Sequence, residues 1–168
     1  ISSNIPFVGQ LAATIPVEYF EFNPPDLSID NIQAGHCDLR KLPFDDSSIQ
    51  SISCLHVLEH IGLGRYGDKV DPEGMKSACV ELIRCIADGG SLLVSFPVGK
   101  HSVEFNAHRI TSPVIALTYF PNMELKEFSY VNDHGKYFEN AAADAPENEP
   151  ISKILIFFLL LSLLKCFS

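Results

Sequence analysis

Residues 49–97 read IQSISCLHVLEHIGLGRYGDKVDPEGMKSACVELIRCIADGGSLLVSFP. Ile49–Leu55 is a short apolar run that suits a strand, and Leu92–Pro97 is a second, more strongly apolar one. Between them, Met75, Ala78, Cys79, Leu82, Ile83 and Ile86 recur at offsets of three and four, which marks one face of a helix over Pro72–Ile86. Asp71 suits the N-cap, Pro72 the first helical position, and Asp88-Gly89-Gly90 ends the helix. Strand, helix, glycine turn and strand form a βαβ unit with a right-handed crossover, the second strand suiting the middle of a parallel sheet. The fold class is therefore α/β.

Upstream, Ile15–Phe22 (IPVEYFEF) is a strand stopped by Asn23-Pro24-Pro25, with a short helix over Pro6–Ala13 before it and a polar connection over residues 26–36 after it. A turn at Pro43–Ser47 leads into Ile49. Downstream, Ser112–Phe120 reads as a helix and Leu125–Val131 as an edge strand. Residues 1–138 thus make the domain, residues 139–150 (ENAAADAPENEP) a flexible acidic linker, and residues 151–168 a hydrophobic tail. The tail's unbroken apolar stretch, Ile154–Leu161, is shorter than the roughly 18–20 residues of a membrane-spanning helix. A buried strand, an interfacial helix, a membrane anchor and a mis-spliced or frame-shifted terminus all stay open for it.

The 168 residues suit one domain, and a net charge of -9 argues against a nucleic-acid partner, which calls for a basic face. Twelve Phe and five Tyr supply an aromatic core. The five cysteines include no CxxC pair and read as small buried hydrophobes in a reducing compartment, so a cytoplasmic location is expected. The chain starts at Ile1 with no signal-peptide pattern and reads as a fragment or processed product.

Four constellations carry candidate chemistry. Glu21 closes a strand at the end where open parallel sheets bind ligands, and an acid there accepts hydrogen bonds from ribose hydroxyls; the plainer reading is a solvated carboxylate. Asp38 with Leu39, followed by Leu42-Pro43-Phe44, offers an acceptor for an adenine amino group beside an apolar wall, or an ordinary loop cap. The densest is Cys54–Asp68, where a strand enters a segment holding His56, Glu59, His60, Arg65, Tyr66 and Asp68 among Gly62, Gly64 and Gly67. His60 or Glu59 suits a general base and Arg65 an anion holder, against the alternative of a polar cap and glycine turn. His56 and His60 have the i, i+4 spacing of a metal pair on a helix, but HVLEH is not HExxH and no third ligand has recognisable spacing; no metal is expected. The fourth runs from Phe96-Pro97-Val98-Gly99-Lys100 to Asn106, His108 and Arg109, a concentrated set of donors facing the same crevice, or a loop held by its own hydrogen bonds.

In order, the strand ending in Glu21, Asp38-Leu39, LPFDDSSI, the strand entering HVLEHIG, the helix and DGG before the next strand resemble class I S-adenosylmethionine-dependent methyltransferases. EFNPP (Glu21–Pro25), EHIGLGRYGD (Glu59–Asp68), FPVGK (Phe96–Lys100) and FNAHR (Phe105–Arg109) resemble more specifically the DUF268 family, a methyltransferase-like group of undetermined chemistry, over roughly residues 1–135. The resemblance implies a Rossmann-like sheet and S-adenosylmethionine as cofactor. It places Glu21 at the ribose, Asp38 and Leu39 near the adenine, and Leu55 and His56 on the methionine side. His60, Glu59, His108 and Arg109 become candidates for catalysis, and Arg65, Tyr66, Asp68 and Asn106 for binding a small-molecule or glycan acceptor. The family's glycine-rich loop after the first strand has no counterpart, and Ile1-Ser2-Ser3 falls just downstream of it, so that strand and loop are expected to be missing. A methyltransferase leads; a cofactor-binding protein without catalysis and a membrane-associated factor anchored by the tail are the alternatives.

Overall fold

The computed structural model describes residues 5–26, 28–104, 107–145 and 156–163. The βαβ unit forms as its periodicity predicts. Strand β3 (Ile49–Leu55) leads through a loop to helix α2 (Gly74–Cys85), which returns the chain to β4 (Ile86–Ser95), parallel to β3. Met75, Ala78, Cys79, Leu82 and Cys85 on α2 are buried with Leu92, Val94 and Phe96 of β4 and the segment after it. Each large aliphatic or aromatic side chain fully buried in this way contributes about 1.5–3 kcal/mol.

Both ends of the helix differ from expectation. The α-helix begins at Gly74, because Asp71 and Pro72 form a preceding turn in which the Asp71 carbonyl accepts the Gly74 N–H at 3.0 Å and the Asp71 carboxylate the Glu73 N–H at 3.0 Å. Asp88-Gly89-Gly90 lies inside β4. The ladder pairs Ile49 with Ile86, breaks, and resumes at Ser51 with Ser91; Gly89 supplies a positive φ of 72° in the break.

Strand β1 (Val17–Glu21), preceded by α1 (Ile5–Ala12), pairs in parallel with β2 (Ile32–His36) in a separate two-stranded sheet. The polar connection expected over 26–36 therefore contains a strand. Its sequence, IQAGH, hides it, because Gly35 carries no side chain and the Phe20 ring occupies the space: a Cβ at Gly35 would lie 2.7 Å from Phe20 Cε1. Phe20 also meets Phe44 edge-on at 5.3 Å, joining this sheet to the segment before β3.

The larger sheet has the order β3-β4-β9-β7-β8, where β7 is Met123–Val131, β8 Tyr137–Phe138 and β9 Ile156–Leu163. The backbone of β9 runs antiparallel to both β4 and β7. Part of the hydrophobic tail is thus a strand inside the sheet. With β9 on one side and β8 on the other, β7 is interior and not the edge strand expected from Leu125–Val131. Asn140–Ala145 does not behave as a free linker. The Ala141 N–H donates to the Phe128 carbonyl at 2.8 Å, and Ala141 and Ala145 pack against the core. Of the expected helix over Ser112–Phe120, Pro113–Leu117 is α-helical (α3). Strands β5 (Ser102–Val103) and β6 (Arg109–Ile110) form a small hairpin above the carboxyl end of β4. No helix among the described residues is long and apolar enough to cross a membrane.

Candidate functional site

The site lies at the carboxyl ends of the parallel strands. As β3 ends at Leu55, His56 turns the chain with a φ of +56°, a region L-residues enter at a cost of about 1–2 kcal/mol, and its N–H donates to the Ser95 carbonyl at 2.8 Å. A 3-10 turn over Leu58–His60 follows. Leu58 is fully buried in the core, and the adjacent Glu59 is carried inward with it, to 2% exposure.

The Glu59 carboxylate sits between two imidazoles. Its Oε1 is 3.4 Å from His56 Nδ1 and 3.7 Å from His60 Nε2, while its buried Oε2 has no hydrogen-bond partner among the described residues. His60 Nδ1 lies 2.7 Å from the Ala107 carbonyl oxygen. A carbonyl only accepts, so this nitrogen carries the proton and a neutral ring holds its lone pair at Nε2. Burial pushes the His60 pKa below 6.5 and so keeps the ring neutral at pH 7, against the opposing pull of the Glu59 negative charge. Edge-on contacts to Tyr66 at 5.7 Å and His108 at 6.4 Å complete its surroundings. His108 Nε2 and the hydroxyl of Ser95 are also buried without hydrogen-bond partners. Glu59 follows β3, Ser95 closes β4 and His108 packs beside His60, and unpaired polar atoms inside a protein are costly unless something else engages them.

Arg109 is 7% exposed and binds the Cys54–Asp68 segment from β6. Its Nη1 donates to the Ile61 carbonyl and its Nη2 to the Asp71 carbonyl at 3.2 Å. Arg65 donates to the Ala107 carbonyl at 3.0 Å, with its guanidinium 5.6 Å from the Tyr66 ring centroid. Asp68 faces into its own loop and accepts the Gly62 N–H at 2.7 Å. Gly62 is required there: φ is +77°, and a Cβ would collide with the Asp71 carbonyl oxygen. Asn106 lies outside the described residues.

On the β1–β2 side, Glu21 stands at the carboxyl end of β1 and accepts the Tyr19 hydroxyl. Burial and then the Glu21 carboxylate hold the Tyr19 pKa above its usual value. Asp38 follows β2 and is gripped by Arg40, whose Nε and Nη2 donate at 3.0 and 2.8 Å and whose backbone N–H adds 2.9 Å. The Arg40 contacts hold the Asp38 carboxyl below its usual range. Leu39 packs against the core beside them.

The structure therefore brings His56, Glu59, His60, Arg65, Tyr66, His108 and Arg109 together, with Glu21 and Asp38 on the other sheet. Sequence reasoning missed Arg40, Ser95 and the Ala107 carbonyl. Arg40 was legible as a cation two residues from Asp38; the other two are brought in by β4 and the hairpin and have no local signal. It also missed an adjoining cleft of about 440 Å³ that shares Gly62 and Arg109 and adds Lys76, His101, Thr111 and Tyr119. No group of three metal-ligating side chains occurs among the described residues. Burial pushes the Cys37 thiol up to about 11 and that of Cys79 up to about 12, so both are inert apolar fillers.

A parallel β3–β4 pair continued by an antiparallel strand, with polar residues at the carboxyl ends, is the Rossmann-like arrangement of class I methyltransferases. The [4+2]-cyclase SpnF has this fold at a TM-score of 0.63 and 13% identity, over 95% of this chain and 70% of its own. An S-adenosylmethionine-dependent methyltransferase from Methanosarcina mazei matches at 0.52 and 15%, over 98% and 79%. The N-methyltransferase NodS from Bradyrhizobium japonicum, solved with S-adenosylhomocysteine, matches at 0.52 and 12%, over 82% of this chain and 57% of its own. No curated protein is significantly similar in sequence. Residues 43–148 match the family described as Caenorhabditis protein of unknown function, DUF268, and the chain belongs to that family.

Proposed function

We propose that the protein is an S-adenosylmethionine-dependent methyltransferase acting on a small molecule or glycan. The observation that carries this is the buried Glu59 carboxylate, with one oxygen unpartnered, at the carboxyl ends of β3 and β4 in a methyltransferase fold. The donor set fits the cofactor. Glu59 and the buried Ser95 hydroxyl suit the ammonium group of a methionine moiety, and Glu21 suits ribose hydroxyls at the end of β1. Leu55 and His56 would line the methionine side, and Asp38 with Leu39 the adenine side.

When bound, S-adenosylmethionine supplies an electrophilic methyl group on a sulfonium sulfur. His60 is the general base: its Nδ1–H is fixed on the Ala107 carbonyl, and its Nε2 accepts the proton of an acceptor hydroxyl or amine as that atom takes the methyl. Glu59 stabilises the imidazolium that results, 3.7 Å away. Arg109 positions this base through the Ile61 carbonyl, and His108 packs against its ring. Arg65, Tyr66 and Asn106 would orient the acceptor, with Asp68 shaping their loop.

A second reading, a cofactor-binding protein that does not transfer methyl groups, draws on the fold: the [4+2]-cyclase SpnF shares it, and a fold alone does not fix the reaction. The test is calorimetric titration of S-adenosylhomocysteine into the full-length protein, followed by methyl transfer to a sugar and small-molecule panel. Micromolar binding with turnover that is lost in His60→Ala supports the first reading. Binding without turnover on any acceptor supports the second, and no binding by a folded sample removes both.

A further inference from the structure

We propose that the cleft beside the Cys54–Asp68 loop is an acceptor subsite for a carboxylate attached to an apolar body; this rests on the methyltransferase reading and names its substrate class. The cleft encloses about 440 Å³, within the usual range for a small-ligand pocket. Leu63, Val70, Met75 and Val103 form much of its wall, with Tyr119 beside them. Its charged lining is Arg109, Lys76 and Glu73, with His101 as a further titratable group. That lining carries net positive charge in a chain of net charge -9.

Arg109 is the decisive residue. It is 7% exposed, and its hydrogen-bond partners, the Ile61 and Asp71 carbonyls, are neutral; no carboxylate among the described residues forms an ion pair with it. Burial lowers its pKa, opposed from beyond ion-pair distance by Asp71, Tyr119, Asp68 and Glu73. A carboxylate entering the cleft brings a counter-charge in direct contact, which Asp71, Asp68 and Glu73 do not, and a guanidinium fork matches its two oxygens. Lys76, 3.9 Å from Glu73 and well exposed, adds positive charge where the cleft opens. Since Arg109 also holds Ile61, the residue after His60, an anion anchored there is fixed relative to the proposed base.

The experiment uses the full chain, 4-phenylbutyrate as the probe and 4-phenylbutyramide as its uncharged counterpart, with calorimetry or saturation-transfer NMR as the readout. Losing a charge-assisted hydrogen bond corresponds to about tenfold weaker binding or more, so the amide is expected to bind at least that much more weakly than the acid. Lys76→Glu weakens the acid several-fold, and Val103→Trp, a substitution at an exposed site that intrudes on the cleft, abolishes binding without altering the fold. Equal binding of acid and amide, no binding of the acid, or unchanged binding in Val103→Trp overturns the proposal. S-adenosylhomocysteine is titrated into the same sample. Acid binding without the nucleoside leaves the anion subsite standing and removes the methyltransferase reading, and the reverse result does the opposite.

Discussion

Replacing Glu59 by Gln tests whether the site stores electrostatic strain for function. The side chain is 2% exposed, Oε2 has no hydrogen-bond partner, and Oε1 has only imidazole nitrogens at 3.4 and 3.7 Å. Leaving a buried charged oxygen unpaired costs about 2–3 kcal/mol, and the long contact from His56 returns about 1 kcal/mol of that. Glu59→Gln keeps the shape and the Oε1 acceptor while deleting the charge. The variant should therefore be more stable by about 1–2 kcal/mol at pH 7, which in a chain of this size raises Tm by roughly 3–6 °C. Cofactor affinity and turnover should fall in the same variant, as expected where a site trades stability for activity. Thermal melting beside calorimetric titration measures both. The gain should shrink as pH falls, because His60 takes a proton and then faces a carboxylate with profit. A variant that melts below the parent at pH 7 would show that the carboxylate is already well satisfied, and the reasoning would fail.

Three further outcomes follow from the same geometry. Gly62→Ala places a Cβ against the Asp71 carbonyl in a left-handed conformation and should destabilise by about 2–4 kcal/mol in urea titration, whereas Gly67→Ala, with open space around it, should cost about 1–2 kcal/mol. The folded-state pKa of His60 lies below 6.5, so the unfolded chain binds the proton more readily; this group's contribution is full above 6.5 and is lost as pH falls from there through the folded value. Urea midpoints across that window, with His60→Gln as the control that flattens the slope, measure it. Arg40→Gln removes the cation that holds the Asp38 carboxyl low, and carboxylate NMR should find its pKa moved up toward the ordinary Asp value of about 3.9.

The β3–α2–β4 unit was legible because a 3.6-residue period and two apolar runs are local signals. Strand β2 was not, since IQAGH offers few apolar positions and its Gly35 is explained only by the Phe20 ring from the neighbouring strand. The interior position of β7 was equally hidden: its partner β9 arrives from more than twenty residues downstream, and an apolar run carries no label for which edge it joins. At the site, the cluster of His56, Glu59 and His60 was visible as residue types. What the sequence does not encode locally is that Leu58 draws Glu59 inside, that the Ala107 carbonyl fixes the His60 tautomer, or that the Arg109 guanidinium donates to the backbone carbonyls of Ile61 and Asp71. Those depend on the β5–β6 hairpin folding back over the loop.

In the proposed binding mode a nucleoside cofactor lies across the carboxyl ends of β1, β3 and β4. Amide chemical-shift mapping of the full-length protein during titration with S-adenosylhomocysteine tests it most directly. Shifts are expected to concentrate at Glu21, Asp38, His56 and Glu59, with little change along the amino ends of the strands. Shifts confined to other surfaces, or none from a folded sample, would contradict it.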